Sequence, residues 1–460
     1  MDHAPATLIE NDLAHLIHPQ HNRQMHLDYG PLIITEGKGA TLTDIHGQRY
    51  VDALAGLWNV YVGYGREELA DAAAAQMKKL AYFSAYVGIS NIPVIELAAK
   101  LAEIGPSNLN AVYFTTAGAE SNESAIKTAR FYWKQKGYAD KTRIISRQFA
   151  YHGVTSLASQ ATGMPAFWKG FEPHPPGFIH VVAPYPYRFP ESLLQGRGVG
   201  EAAADAIEQA ILAEGPDQVA AVIGEPIMGA GGVIVPPDDY WPRVRAICDK
   251  YNVLLISDEV ICGFGRTGSM WGLEGYGVQP DLMTFAKGVT SGYVPLGGVM
   301  MNDEIAGVIN SLPKPSQWMH AATYSGHPTA CAVALKNLEI LESDGLYERA
   351  RVMGQKLQAN IQALTDHPLV GDARGKGFIA GLELVSDKNT KTPGSPEGKI
   401  AGRVRDVAQG KGVIIRAVRD ILCFAPPFVM TDEEMEILFA VIKESLDVVA
   451  EEVLATAQQK

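Results

Sequence analysis

Short apolar runs and longer amphipathic stretches alternate along most of this chain. The runs at 111–116, 142–146, 219–226 and 281–285 read as strands, and the continuous apolar run 253–256 has the pattern of a strand buried on both faces. Between them, apolar positions recur at helical spacing from Glu67, at 93–103 (Ile95, Leu97, Ala98, Leu101), from the turn at Gly118 to a stop at Gly137, at 201–214 and at 239–251. Strands alternating with helices predict right-handed βαβ units and a mostly parallel sheet. Residues 293–301 predict a strand pair. Residues 164–198, rich in Pro, Gly and aromatics, predict a long surface excursion. After a helix at 329–343 the pattern changes: a helix at 346–364, strands at 369–373, 378–385, 413–416 and 421–425, and a last helix from Asp432 predict a separate α+β lobe. The N-terminal part offers an amphipathic piece at 8–17 and short strands at 32–34 and 41–44. The expected architecture is α/β: a large domain at 61–330 on a mostly parallel central sheet, and a smaller α+β domain at 331–460 joined by the N-terminal segment 1–60.

Composition excludes more functions than it suggests. With 460 residues the chain is long enough for two domains, and its net charge of -12 argues against nucleic acid or an anionic membrane as a partner. The cysteines (Cys248, Cys262, Cys331, Cys423) lie far apart with no C-x-x-C, so neither a disulfide framework nor a zinc site is expected, and buried thiols in a reducing cytoplasm are. No long apolar stretch lacks charges or Pro/Gly breaks, and the acidic N-terminus (Asp2, Glu10, Asp12) does not look like a signal peptide.

The chemistry gathers at strand ends. The run 253–258 finishes in Asp258-Glu259, at the carboxyl end where open α/β sheets place ligands. The next strand delivers Lys287 ahead of Gly288. A lysine at one strand end facing an aspartate from a neighbouring one suits pyridoxal phosphate (PLP): the amine forms the Schiff base, and the carboxylate keeps the pyridine nitrogen protonated so that the ring accepts electrons. The strand at 111–116 runs into Ala117-Gly118-Ala119-Glu120 and a helix start, an anion site that suits one phosphate monoester. Tyr151, followed by His152-Gly153, stands where an aromatic can stack on a flat heterocycle, and Glu225 closes another strand. Two competing patterns fail. VLLISDEV resembles a magnesium-binding strand of P-loop NTPases, but no Gly-Lys pair here is followed by Ser or Thr. Gly263-Phe-Gly-Arg-Thr-Gly268 matches G-x-G-x-x-G but is followed by Gly272, Gly275, Gly277 and Pro280 rather than by a helix.

On LISDEVICGFGRTG, PDLMTFAKG and the 29-residue spacing of Asp258 and Lys287, the chain resembles class III aminotransferases of the fold-type-I PLP enzymes over nearly its full length. AGLWNVYVGYG, EPIMGAGGVIVPP and Tyr324-Ser-Gly-His-Pro are most similar to the amine–pyruvate (omega-) transaminases. The resemblance implies Lys287 as the Schiff-base lysine and proton-transfer base, Asp258 on the pyridine nitrogen, and Tyr151 and Val260 on opposite faces of the ring. It implies Gly118 and Ala119 on the phosphate with Thr323 of a second subunit, and Glu225 as an orienting group beside the ring. Trp58, Tyr86, Tyr151 and Ala230 would line the amine pocket. Arg416 would be the mobile arginine that accepts a keto-acid carboxylate and swings out for an apolar group. No metal is implied. The assembly implied is a homodimer with shared sites, or a tetramer of such dimers. Two features depart from relatives: Ser is frequent where Ala119, or its neighbour Ala117, stands here, and Cys423 precedes Phe-Ala-Pro-Pro where ornithine-type enzymes carry an arginine for the α-carboxylate. The expected reaction is ping-pong transfer of an amino group from a primary amine to pyruvate or a similar keto acid. The alternatives are a class III enzyme dedicated to putrescine, β-alanine or 4-aminobutyrate, and a same-fold aminomutase or decarboxylase.

Overall fold

A seven-stranded sheet forms the middle of the structure, a computed structural model that describes residues 5–20, 22–313 and 315–457; Asp2 lies outside them. Its strands run in the order Leu109–Thr115, Gly297–Asn302, Leu282–Phe285, Leu254–Asp258, Val219–Gly224, Arg143–Arg147, Phe178–Val181. Only Gly297–Asn302 is antiparallel to its neighbours, so the other six carboxyl ends share one edge. The alternation along Leu254–Asp258 explains why this strand is central. Leu255 packs with Val222 and Ile145 on one face, against the helices Val199–Glu214 and Tyr240–Lys250. Leu254 and Ile256 pack with Ile223 and Ile144 on the other, against Gly118–Gln135 and Asp303–Asn310. Both faces are covered, so both parities must be apolar, and the run is continuous rather than alternating.

Two four-stranded sheets flank the centre. One joins Ile34–Lys38, Thr41–Asp44 and Arg49–Asp52 to Val413–Ile414 from near the other end of the chain. The other is antiparallel: Val370–Lys376, Ile379–Leu384, Ile421–Phe424, Arg416–Val418. Among the described residues all four cysteines are free and buried, and no helix is long and apolar enough to cross a membrane.

Several expected elements differ in detail. The first strand lies at Ile34–Lys38 rather than 32–34 and passes through Gly37, which the Tyr64 ring approaches so closely that a Cβ would sit 2.7 Å from its Cγ. Phe178–Val181, within the expected surface excursion, is the edge strand of the central sheet, paired on one side only. The strand pair expected at 293–301 is the single strand Gly297–Asn302. The strand expected at 413–416 divides between two sheets, because Ile415 turns the chain from Arg49–Asp52 toward Ile421–Phe424. Ile95 faces outward at 57% exposure, and Val94, Leu97 and Leu101 form the buried stripe of their helix.

Candidate active site

The shared carboxyl edge of the sheet opens into a cavity of about 400 Å³. Gly118, Ala119, Tyr151, Glu225, Asp258, Val260 and Lys287, drawn from the ends of five strands, all line it. A volume of this size lies at the low end for small-molecule sites, which suits a compact cofactor.

Lys287 follows its strand directly and sits at φ +47°, a left-handed conformation that a non-glycine residue adopts only under tertiary constraint. The next residue, Gly288, is pressed against Tyr61 so tightly that a Cβ there would lie 2.5 Å from the ring. Tyr61 cannot yield: its hydroxyl donates to the Ile261 carbonyl at 2.9 Å, and the Arg266 guanidinium lies 4.3 Å over its face. Burial pushes the Lys287 amine down to about 8, although the Asp258 and Glu225 carboxylates pull the other way. The group is therefore a base and nucleophile close to neutral pH.

Asp258 is buried and held from three directions. Asn122 Nδ2 donates to its Oδ2 at 2.7 Å, His152 Nδ1 lies 2.7 Å from the same oxygen, and the Val260 amide donates to Oδ1 at 3.1 Å. Asn122 is itself fixed, accepting from Thr284 Oγ1 at 2.8 Å and donating to the His152 carbonyl at 2.8 Å. Asn122, His152 and Thr284 are absent from the sequence-based site. His152 adjoins Tyr151 and Asn122 lies one helical turn past Gly118, so adjacency was the only signal. Glu259 points the other way, accepting from the Gly272 and Leu273 amides at 2.7 and 3.0 Å, and burial raises it to about 7.

The helix Gly118–Gln135 begins at the cavity with no side-chain cap, since Ala117 has nothing to offer. Glu120 instead turns back to the Thr116 amide and hydroxyl at 2.7 and 2.6 Å. The first helical N–H groups remain available to an anion. Gly118 is glycine because Val260 leaves no room: a Cβ would stand 2.8 Å from Val260 Cγ1. Glu225, buried and raised by burial, accepts from the Tyr151 amide at 2.8 Å and the Gly229 amide at 2.9 Å, so it fixes the backbone that carries the Tyr151 ring.

Five expected residues do not line this cavity. Trp58 is 2% exposed and packs in an apolar cluster with Ile261, Ile421 and Cys423. Ala230 follows Gly229 in the turn that Glu225 holds. Arg416 stands opposite Cys423 in its strand pair, and its buried Nε has no hydrogen-bond partner among the described residues. Burial raises Tyr151, with the Arg416 charge partly opposing it, and the same charge adds a smaller downward push on Lys287 after burial and the two carboxylates. Tyr86 lines a separate cavity with Tyr113, Trp318 and His320, and Thr323 lies exposed in a turn. The supposed dinucleotide loop is structural: Arg266 is fully buried between Tyr61 and Phe428 and donates to the Phe378 and Pro426 carbonyls.

A strand-end lysine of lowered pKa, an aspartate caged by donors and an uncapped helix start around one small cavity together define a PLP-dependent enzyme of the aminotransferase fold. The family model for aminotransferase class-III matches residues 23–446, and the chain belongs to that family. It is 43% identical over 427 residues to the putrescine–pyruvate aminotransferase of Pseudomonas aeruginosa, covering 93% of this chain and 92% of that one. An (S)-enantioselective omega-transaminase from Thermomicrobium roseum superposes with a TM-score of 0.93 at 46% identity, covering 98% and 99% of the two chains. The omega-transaminase of Pseudomonas jessenii, solved in complex with PMP, superposes at 0.94 with 40% identity over 97% and 99%. The protein is an aminotransferase, close to the omega-transaminases.

Proposed function

We propose that this enzyme moves an amino group from a primary amine bearing an apolar or aromatic substituent to pyruvate or a similar small keto acid, by a ping-pong route. The observation that carries the reading is Arg416: a guanidinium whose Nε is buried without a partner among the described residues, close enough for its charge to act on both Lys287 and Tyr151. An arginine that pairs with no carboxylate among the described residues is free to receive one from a substrate. Leu57, Ile261, Val294, Pro295 and Leu296 complete the cavity with apolar surface, which suits the amine's substituent. Cys423, where an α-carboxylate arginine would stand, is an apolar packing residue whose thiol burial pushes up to about 12. The relative named for omega-transamination supports this reading, and the one named for putrescine and pyruvate supports the acceptor while leaving a diamine as the alternative donor.

The residues present fit the cofactor. When bound, PLP supplies an aldehyde that captures the amine and a ring that spreads electron density. Gly118 and Ala119 bind its phosphate by backbone N–H, with Thr323 of a second subunit. Tyr151 and Val260 hold the ring from its two faces, and Asp258 holds a proton on the pyridine nitrogen. Lys287 Nζ anchors the cofactor, then takes the proton from the substrate carbon and delivers it to the cofactor side; its lowered pKa lets one group act as both base and acid. Glu225 keeps Tyr151 in place through the backbone. Trp58, Tyr86 and Ala230 shape the amine pocket, Tyr86 from across a homodimer interface. The same reading puts the protein in the cytoplasm, as homodimers that can pair into tetramers. It divides the chain into a large domain at 61–330 and a small domain at 331–460 carrying segment 1–60, a division supported by the pairing of Val413 with Val51.

The test is an absorbance spectrum of the PLP-loaded enzyme with 1-phenylethylamine and no keto acid. Loss of the visible band, restored by pyruvate, is the expected result. A band that persists with this amine but bleaches with putrescine, β-alanine or 4-aminobutyrate moves the donor assignment. A band that no amine bleaches refutes transamination.

A further inference from the structure

The N-terminal arm holds a cluster that the transamination chemistry does not use. Asp12 lies on the helix Pro5–His15, His18 in the connection after it, and His26 on the helix Arg23–Tyr29. His18 Nε2 is 3.0 Å from Asp12 Oδ1 and 3.1 Å from Oδ2, and His26 Nε2 is 3.2 Å from the same Oδ1. One donor atom from each residue lies within 4.8 Å of the other two, and the imidazole rings sit 4.2 Å apart. Three donors from three successive segments thus converge on one point.

We propose that Asp12, His18 and His26 bind a divalent transition-metal cation of the zinc type, which clasps the two helices of the arm together. The donor set is two imidazoles and a carboxylate, which borderline cations such as Zn²⁺ prefer and which Mg²⁺ and Ca²⁺ do not. The spacing fits as well. A tetrahedral ion with bonds of about 2.0–2.1 Å holds its ligand atoms about 3.3 Å apart, and an octahedral one about 3.0 Å apart; the His–Asp separations of 3.0 and 3.2 Å need only a small outward adjustment. The three side chains are 14–31% exposed, shielded enough to favour ligation over bulk water and open enough for an ion to enter. A cavity of about 640 Å³ bordered by His18, His26, Gln48, Tyr50 and Arg405 adjoins the cluster and has room for the waters that complete the coordination shell. The metal-free alternative is an Asp12 carboxylate accepting from both imidazoles, which gives the same contacts without an ion.

The two are separated by calorimetric titration of ZnCl₂ into chelator-treated, PLP-loaded enzyme. The comparison is wild type against Asp12→Asn and the His18→Ala, His26→Ala double variant. The expected result is one zinc per chain, weakened at least about tenfold in each variant, together with a zinc-dependent rise in Tm that the double variant lacks. Because the variants also disturb the arm, Co²⁺ is added to wild type alone, where nitrogen ligation gives visible d–d bands that Zn²⁺ displaces. No stoichiometric binding, equal affinity in the double variant, or cobalt that stays spectroscopically aquo would each overturn the proposal.

Discussion

Asp258→Asn removes one charge and changes almost no volume, so the surrounding donors decide its consequences. Asn122 cannot rotate to help, because Thr284 donates to its Oδ1 while its Nδ2 serves both Asp258 and the His152 carbonyl. The new amide must therefore aim its oxygen at Asn122 and His152. Its NH₂ then faces the Val260 amide, which donates to Asp258 Oδ1 in the native chain. Two donors face each other in a buried site, at a cost of about 1–3 kcal/mol. The two remaining bonds fall from charge-assisted to neutral strength, about 1 kcal/mol less each. On the role proposed for Asp258, losing its negative charge removes the group that would keep the pyridine nitrogen protonated when electron density develops. The hydrogen-bond losses, about 3–5 kcal/mol together, fall on stability, whereas the lost charge falls on the reaction: a charged hydrogen bond of about 1.5–3 kcal/mol corresponds to about 10- to 150-fold in rate. Single-turnover kinetics of the 1-phenylethylamine half-reaction read the rate, and the visible spectrum reports whether PLP still links to Lys287. The expected variant keeps the spectrum, loses several degrees in Tm and reacts about two orders of magnitude more slowly. A rate within threefold of wild type would refute the role assigned to this carboxylate.

Four further outcomes follow from the same geometry. Lys287→Ala abolishes turnover in a steady-state pyruvate assay while PLP still binds non-covalently in equilibrium dialysis; retained turnover sinks the assignment. In the cofactor-free chain, burial lowers Lys287 from 10.5 to about 8, so the reactive neutral amine increases as pH rises through 8. The rate of visible-band formation on adding PLP therefore climbs across that range, and the cost of burying the charged amine is greatest below pH 8 and fades toward the unfolded value. A Lys287→Met chain is accordingly more stable than cofactor-free wild type at pH 7, by a margin that shrinks toward pH 10; a constant margin contradicts this. Arg416→Ala raises KM for pyruvate at least about tenfold, the value of a charged hydrogen bond, and leaves KM for 1-phenylethylamine within about twofold; equal effects remove it from carboxylate recognition. Gly288→Ala drives a methyl against the fixed Tyr61 ring and lowers stability by about 1–3 kcal/mol in urea unfolding, with loss of PLP binding.

The central sheet and the edge on which the site lies could be read from the chain alone. A strand buried on both faces must be apolar at both parities, so Leu254, Leu255 and Ile256 announce themselves, and a parallel sheet obliges Gly118, Tyr151, Asp258 and Lys287 to come together at one edge. Local physics is enough for that, because strand burial and right-handed crossovers leave few alternatives. The partners of those residues were not legible. Asn122 and His152 meet Asp258 from 136 and 106 positions away, and nothing in their neighbourhoods distinguishes a buried donor from an ordinary helix or loop residue. The same holds for the positive φ at Lys287, for Gly288, glycine because Tyr61 from a distant segment lies on it, and for Gly37, glycine because Tyr64 lies on it. Phe178–Val181 was hidden because it is short and set within the Pro-, Gly- and aromatic-rich stretch 164–198, although Phe178, Ile179 and Val181 are apolar. Periodicity records what each residue faces on average, whereas hydrogen-bond partners and close approaches depend on atoms brought together only when the chain has packed.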